Sequence, residues 1–315
     1  MNTYSLTFSQ KESICQDIFD AKGPFWHLCS DGSEMQDFLL VPQDYIEATN
    51  LCAAAIYRNN KATILTYELM SNHFHFVLSG QRKFCIEFAE DFFSSTRRLF
   101  KSLGKAIDWS RFKYNLYPIE DLRALRNEIL YVNRNAYLVH SQYTPYSYPW
   151  GGGISFFNPV IKHLSSLDCE NISLRLKRSL LHCRDTEPYK GLKFFMNIAY
   201  IPSFCNIALA ESLFTDARSY HSSLNRNAEA FGIISKKLND SLCLTDDELY
   251  SVAVHISKKR FNCNKFYLLE PSNKIELAKE LHYKYKASKQ QLRRLLRIDS
   301  YILNELFPTR TVHPQ

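Results

Sequence analysis

The sequence has no long apolar run and no closely paired cysteines, and each absence excludes a class of protein. No apolar stretch approaches the roughly 18 residues that a membrane-spanning helix needs. The nine cysteines are odd in number and form no CxxC pair, which argues against a disulfide framework or a zinc ribbon and favours reduced thiols in a cytoplasmic protein. The first residues lack a basic segment followed by an apolar one, so no signal peptide is expected.

The composition is that of a globular chain with a mild basic excess. Its 315 residues are enough for about two domains, with 45% hydrophobic and 23% charged residues. The net charge of +7 is compatible with a polyanionic partner without requiring one. Aromatic residues make up 14%, and they serve either as core or as faces on which unpaired bases stack.

Hydrophobic periodicity predicts alternating strands and helices up to about residue 150. We expect strands at 23–32, 61–70 and 73–80, and helices at 41–60, 83–104 and 119–139. The segment TPYSYPWGGG, residues 144–153, is rich in turn residues and suggests a domain boundary. Residues 154–270 are expected to be mainly helical, without a readable role, and a helix that begins after Thr245 as its N-cap is predicted there.

Two histidines stand one residue apart in an otherwise apolar strand, ILTYELMSNHFHFVLSG. Positions i and i+2 of a strand share a face, so His73 and His75 present their imidazoles side by side. Such a pair can hold a divalent metal if a third ligand arrives from elsewhere. Two hydrogen-bonded histidines at a strand edge are the alternative.

A tyrosine and an asparagine lie four residues apart on the predicted helix 119–139. Tyr131 and Asn135 therefore share one helix face. A tyrosine hydroxyl can act as a nucleophile, and an amide oxygen can bind a metal. Together with the two histidines they would suit attack on a phosphodiester polarised by a metal ion. The alternative is a half-buried tyrosine and a solvated asparagine.

Taken together, these segments resemble a known family. MSNHFH (70–75) is similar to the family signature MPNHxH, YVNRNAY (131–137) to YIHxNP, and SYPWGG (147–152) to DYPWSS, and Trp26-His27 matches a histidine on the first strand. A basic and aromatic helix, FFSSTRRLFKSLG, stands between the first two signatures. In this order they resemble the HUH single-tyrosine (Y1) transposases, the IS200-like group, especially the REP-associated tyrosine transposase branch. The resemblance covers about residues 20–155.

The resemblance implies a fold, a cofactor and a reaction. It implies an α+β, ferredoxin-like antiparallel sheet with helices on one side, forming a catalytic domain over residues 1–153. His73, His75 and Asn135 would bind Mg²⁺ or Mn²⁺, and Tyr131 would cut single-stranded, hairpin-forming DNA through a 5′-phosphotyrosine link. The protein would be a monomer or a homodimer engaged in DNA transposition or in the mobilisation of hairpin repeats.

The departures that bear on the site residues lie in the histidine and tyrosine signatures. Ser71 replaces a proline in the histidine signature, while Asn133 and Ala136 replace the histidine and the proline of the tyrosine signature. Other tyrosines compete for the role of nucleophile: Tyr114, Tyr117, Tyr137 and Tyr143.

The end of the chain forms a basic, helix-rich segment. Residues 274–310 contain nine lysines or arginines against four acids. The pattern over 271–315 is typical of a helix-turn-helix, in which Ser288 caps one helix, residues 297–299 form the turn and residues 300–306 form the helix that reads duplex DNA. A solvated three-helix tail is the alternative. The candidate DNA-contacting cations are Arg97, Arg98, Lys101, Lys289, Arg293, Arg294 and Arg297.

Three functions remain open on these residues. The first is a tyrosine-dependent single-strand DNA endonuclease and strand transferase. The second is a catalytically inactive, domesticated DNA-binding regulator derived from such an enzyme. The third is a metal-dependent hydrolase of nucleotides, which would cut its substrate without any covalent link to the protein.

Overall fold

The chain divides into two compact units. The computed structural model describes residues 6–32, 35–139, 143–144, 146–185, 187–226, 234, 246–263, 265–285, 287 and 289–307. The first unit comprises residues 1–240 and the second residues 241–315. The boundary that the sequence suggested at residues 144–153 thus falls inside the first unit, and the boundary suggested at residue 271 falls inside the second. Within the described part of the chain, no helix has the length and apolar character needed to cross a membrane.

The first unit is built on a four-stranded antiparallel sheet. Its strands are β1 (Phe25–Ser30), β2 (Thr63–Leu69), β3 (Phe74–Ser79) and β4 (Tyr114–Ile119), in the order β2-β3-β1-β4. One helix connects β1 to β2 and another connects β3 to β4, whereas a short turn at Ser71 and Asn72 connects β2 to β3. The connectivity β-α-β-β-α-β with this strand order is that of a ferredoxin-like unit. The α+β class and the antiparallel sheet expected from the sequence are confirmed.

Helices α2 to α4 of this unit agree closely with the predicted ones. The helices α1 to α4 are α1 (Phe8–Lys22), α2 (Pro42–Arg58), α3 (Arg82–Ser102) and α4 (Leu122–Val139). Pro42 stands at the first helical position of α2, where a missing N–H costs nothing. Gly104 follows α3 with φ of +74°, a left-handed conformation that ends the helix.

Helix α1 and strand β4 were not predicted from the sequence. The helix α1 begins with a capping box in which Thr7 and Gln10 exchange hydrogen bonds. The strand β4 contains Pro118 and ends at Ile119, the residue at which the following helix was predicted to begin. A proline is tolerated there because β4 is an edge strand, which has a sheet partner on one side only.

The sheet is covered on both faces, which corrects the expectation of helices on one side. Phe74 and Phe76 of β3 point toward α3, where Phe92 packs against both rings. The alternate residue of β3, His75, points the other way and meets Tyr131 of α4. Because side chains alternate along a strand, one face of the sheet is aromatic and the other carries polar groups under α4.

Residues 149–226 of the first unit add short elements around the sheet. The segment at Trp150 and Gly151 runs along β2, where the Leu69 amide donates to the Trp150 carbonyl over 3.0 Å. The expectation of a mainly helical region holds in part, because a small antiparallel sheet is present as well. The elements are α5 (Pro159–Lys162), β5 (Leu167–Asp168), α6 (Leu174–Leu181), β6 (Lys193–Phe195), β7 (Ile198–Ala199), α7 (Ile201–Phe204), α8 (Ile207–Ser212) and α9 (Ala217–Arg226).

The second unit is helical where it is described. Its helices are α10 (Asp246–Phe261), α11 (Pro271–Tyr285), α12 (Lys289–Leu296) and α13 (Ser300–Leu306). Asp299 caps α13 by accepting a hydrogen bond from the Tyr301 amide over 2.7 Å. Arg297, in the predicted turn, has a left-handed φ of +54°. The predicted caps Thr245 and Ser288 lie outside the described residues.

Candidate metal centre and tyrosine site

The polar face of the sheet is centred on His75. Its neighbours in register are Cys29 on β1 and Glu68 on β2, and directly paired residues of antiparallel strands point to the same side. His27 lies two residues before Cys29 on β1 and therefore shares this face. All four side chains are buried. The face thus combines two imidazoles, a thiol and a carboxylate beneath α4.

His73 joins this group from the turn that precedes β3. Its ring centroid lies 5.0 Å from that of His75. The Nδ1 atom of His73 lies 2.6 Å from Oδ1 of Asn72, whose own amide nitrogen donates to the carbonyls of Gly32 and Met35. A Cβ atom added to Gly32 would stand 2.6 Å from His73 Nδ1, so the imidazole occupies the space that a side chain there would fill.

One side of helix α4 packs against these histidines. The ring centroid of Tyr131 lies 5.8 Å from that of His75 and 6.2 Å from that of His27. Glu128, one turn earlier on the same face, places Oε2 2.6 Å from Nδ1 of His27. Asn135, one turn later, is buried, and its Nδ2 atom has no hydrogen-bond partner among the described residues.

The histidines are also connected to each other. Nε2 of His27 lies 3.1 Å from Nδ1 of His75, so a hydrogen-bonded chain runs from Glu128 through His27 to His75. His27 is fully buried and Glu128 nearly so. Buried polar groups are expensive unless they are paired, and here each is paired with another group of the site.

The structure brings together three of the four predicted site residues. His73, His75 and Tyr131 meet around one point on the polar face. Asn135 is buried on the same side of α4, one turn beyond Tyr131. The predicted solvated asparagine and half-buried tyrosine are both wrong as alternatives, because Tyr131 is 2% exposed and Asn135 4%.

The competing tyrosines differ in their position. Tyr114 packs against Phe93 of α3 and therefore lies on the aromatic face, away from the histidines. Tyr117 pairs in register with His27 and lies on the polar face. Burial raises the pKa of Tyr117, and the nearby Cys29 and Asp31 raise it further. Tyr143 contacts Tyr148 instead. The side chain of Tyr137 lies outside the described residues.

The predicted cations of α3 line a groove of about 590 Å³ that also includes Trp109. Arg97 lies over the rings of Trp109 and Phe112, 5.9 and 5.1 Å from their centroids. Phe38 connects this groove to the turn before His73, since it contacts Trp109 and its amide donates to the Ser71 carbonyl. The groove is therefore at the same end of the sheet as His73. Its predicted members are Arg97, Arg98 and Lys101.

The predicted cations of the second unit lie on and after α12. Arg293, Arg294 and Arg297 are exposed, whereas Lys289 is half-buried and donates to Oδ1 of Asn304 over 3.0 Å. The predicted reading helix α13 itself carries no lysine or arginine.

A second possible metal-binding group was not predicted. His27, Cys29 and His75 bring ligand atoms within 4.8 Å of one another. Among the described residues, no other set of three histidine, cysteine or acidic residues has this property. This group shares His75 with the predicted one. The thiol and imidazole donors would favour a soft or borderline metal.

The roles of His27 and Glu128 were missed, although the sequence contains a signal for each. His27 was recognised as a first-strand histidine without a role. Glu128, Tyr131 and Asn135 have the i, i+3, i+7 spacing of one helix face. The pairing of β1 with β3 brings His27 to His75. The packing of α4 on the same face of the sheet brings Glu128 to His27 across 101 residues of chain.

Comparison with protein-family models, with curated proteins and with solved structures finds no match for this chain.

Proposed function

We propose that the protein is a metal-dependent, single-strand DNA endonuclease and strand transferase that uses Tyr131 as its nucleophile. The observation that carries this proposal is the tyrosine ring beside two histidines, 5.8 Å from His75 and 6.2 Å from His27, with His73 adjoining. The finer fold assignment, that of the HUH single-tyrosine transposases, belongs to the same proposal. It is supported by the order of the signatures and by the β-α-β-β-α-β connectivity.

The donor atoms suit a divalent metal with mixed ligands. His73 and His75 would offer imidazole nitrogens, and Asn135 would offer its amide oxygen. The buried Nδ2 of Asn135, which has no partner among the described residues, would remain to donate to a phosphate oxygen. Mg²⁺ prefers oxygen ligands, so two imidazoles favour Mn²⁺ of the two expected ions. When bound, the metal would neutralise charge on the scissile phosphate.

Tyr131 would carry out the covalent step. Its hydroxyl oxygen forms a bond to phosphorus while the bond from phosphorus to the 3′-oxygen breaks. The phenol loses its proton, and the departing 3′-oxygen gains one. The 5′-phosphate remains on the tyrosine, and a 3′-hydroxyl can later reverse the reaction. No external energy source is needed, because one phosphoester replaces another.

Substrate access requires that Tyr131 become exposed. Tyr131 is 2% exposed, so a phosphodiester reaches its hydroxyl only when the polar face opens. The groove of Arg97, Arg98, Lys101 and Trp109 offers cations and an aromatic face at the His73 end of the sheet. Such a combination suits the backbone and bases of a single strand.

The test is a covalent adduct on a labelled single strand that contains a hairpin. We expect the full-length protein with Mn²⁺ to form an adduct that survives denaturation, and Tyr131→Phe to form none. Tyr117→Phe is the matched control, because Tyr117 lies on the same face of the sheet and is more exposed. An adduct that persists in Tyr131→Phe and disappears in Tyr117→Phe would identify Tyr117 as the nucleophile.

A second candidate function is favoured by the burial of Tyr131. A tyrosine enclosed between imidazoles and a helix also fits a catalytically inactive DNA-binding regulator, in which the former site has become core. That protein would bind the same oligonucleotides with Mn²⁺ present and leave them uncut. Cleavage of free nucleotides without an adduct would instead indicate a hydrolase.

A further inference from the structure

We infer that Glu128 and His27 act as a relay that fixes the tautomer of His75, so that His75 offers Nε2 as its metal-binding nitrogen. The inference rests on the proposed metal centre and assigns positioning roles to two residues outside it. Neither residue would touch the metal or the DNA.

The relay begins at Glu128. An ionised carboxylate only accepts hydrogen bonds, so the 2.6 Å contact with Oε2 places the proton of His27 on Nδ1. Both groups are buried, which strengthens the hydrogen bond and excludes water as a competing partner. In a neutral imidazole the other nitrogen is then an acceptor.

The second contact of the relay fixes the tautomer of His75. Nε2 of His27 can only accept, so the proton in the 3.1 Å contact belongs to Nδ1 of His75. The remaining nitrogen of His75, Nε2, then carries the lone pair that a metal requires. One carboxylate on α4 thus determines which nitrogen is offered by a histidine on β3.

His73 reaches the same tautomer by an independent route. The Asn72 amide nitrogen donates to the carbonyls of Gly32 and Met35, over 3.0 and 3.2 Å. This arrangement fixes Oδ1 of Asn72 as the atom that faces Nδ1 of His73, at 2.6 Å. His73 Nδ1 therefore donates, and Nε2 of His73 is again the nitrogen with the lone pair. Two neighbouring histidines held in one tautomer by different partners are typical of metal ligands with organised outer partners.

The first measurement needs no substitution. Histidine-selective nitrogen NMR of the metal-free protein distinguishes the two neutral tautomers. We expect His73 and His75 to carry their protons on Nδ1. A proton on Nε2 of His75 overturns the relay, whatever the protein binds.

The second measurement is the affinity for Mn²⁺ alone, followed through the EPR signal of the free ion. Glu128→Leu removes the acceptor at the start of the relay, and we expect affinity to fall about 10- to 100-fold, the usual effect of losing an outer partner. Glu128→Gln keeps an acceptor oxygen and should restore most of the affinity. Equal affinity in wild type and Glu128→Leu overturns the relay while the metal centre stands.

Cys85→Ser is the control. Cys85 is a buried cysteine of α3 that belongs to neither possible metal-binding group, so its substitution should leave Mn²⁺ affinity unchanged. Cys29→Ser tests the second group, because a loss equal to that of Glu128→Leu would make His27, Cys29 and His75 the metal centre itself and overturn the relay. If the wild-type protein binds no Mn²⁺, both the proposed metal centre and the inference are wrong. These results distinguish failure of the relay from failure of the proposed function.

Discussion

At the scale of single residues, the position of His73 depends on the missing side chain of Gly32. A Cβ atom there would stand 2.6 Å from His73 Nδ1 and 3.0 Å from Asn72 Oδ1, distances that force a displacement. We predict that Gly32→Ala moves the imidazole and lowers Mn²⁺ affinity about 10-fold or more, within the range for misplaced ligands. Isothermal titration calorimetry measures this affinity directly.

Gly23→Ala provides the control for that substitution. Its added Cβ would lie 3.5 Å from its nearest neighbours, an ordinary contact, so Mn²⁺ affinity should match that of the wild type. If Gly32→Ala binds Mn²⁺ as tightly as Gly23→Ala, His73 is not a ligand.

The sequence was sufficient to predict site residues that are close in the chain or share a helix face. His73 and His75 follow from strand alternation, and Tyr131 and Asn135 from helical spacing. The relay could not be predicted in this way, because the contact between His27 and Glu128 depends on sheet order and on which face of the sheet α4 covers. Spacing along a chain carries no information about either.

At the scale of elements, the aromatic face of the sheet holds α3 in place. The ring of Phe92 lies 5.1 Å from that of Phe74 and 5.4 Å from that of Phe76, and it is fully buried. We predict that Phe92→Ala lowers the free energy of unfolding by about 3–5 kcal/mol, because it removes these contacts and leaves a cavity. Urea denaturation followed by circular dichroism measures the change.

Phe8→Ala is the matched substitution on the surface. Phe8 is 68% exposed at the start of α1, so its removal should change the free energy of unfolding by less than about 0.5 kcal/mol. Similar effects of the two substitutions would contradict the role of the aromatic face as core.

Elements with a strong period were predicted well, and the others were missed for physical reasons. The helices α2, α3 and α4 and the strands β1, β2 and β3 have clear apolar patterns. The strand β4 contains Pro118, a residue that weakens any strand prediction, and only its place at the sheet edge makes it acceptable. The helix α1 has one buried residue, Cys15, and therefore too weak an apolar stripe to be recognised.

At the scale of the whole molecule, the basic residues are divided between two units. The groove with Arg97 belongs to the first unit, and the arginines around α12 belong to the second. The sequence placed a boundary at the turn-rich segment 144–153, but turn residues mark a surface segment as readily as a linker. Gly151 and Gly152 lie against β2, where a Cβ on either would crowd Tyr67 or Thr66. The segment therefore lies within the first unit, which continues along β2 beyond residue 153.

The division of charge predicts separate effects on duplex and single-stranded DNA. We expect the full-length triple variant Arg293→Ala, Arg294→Ala and Arg297→Ala to bind duplex DNA with a weaker salt dependence, because each lost phosphate contact lowers the slope by about 0.9. Adduct formation on the hairpin single strand should persist, since Tyr131 belongs to the other unit.

Fluorescence anisotropy over a salt series measures the slope. Arg260→Ala is the control, because its guanidinium already pairs with Glu276 and Glu280, 3.0 and 3.2 Å away, and should leave the slope unchanged. An unchanged slope in the triple variant would identify the second unit as a solvated helical segment.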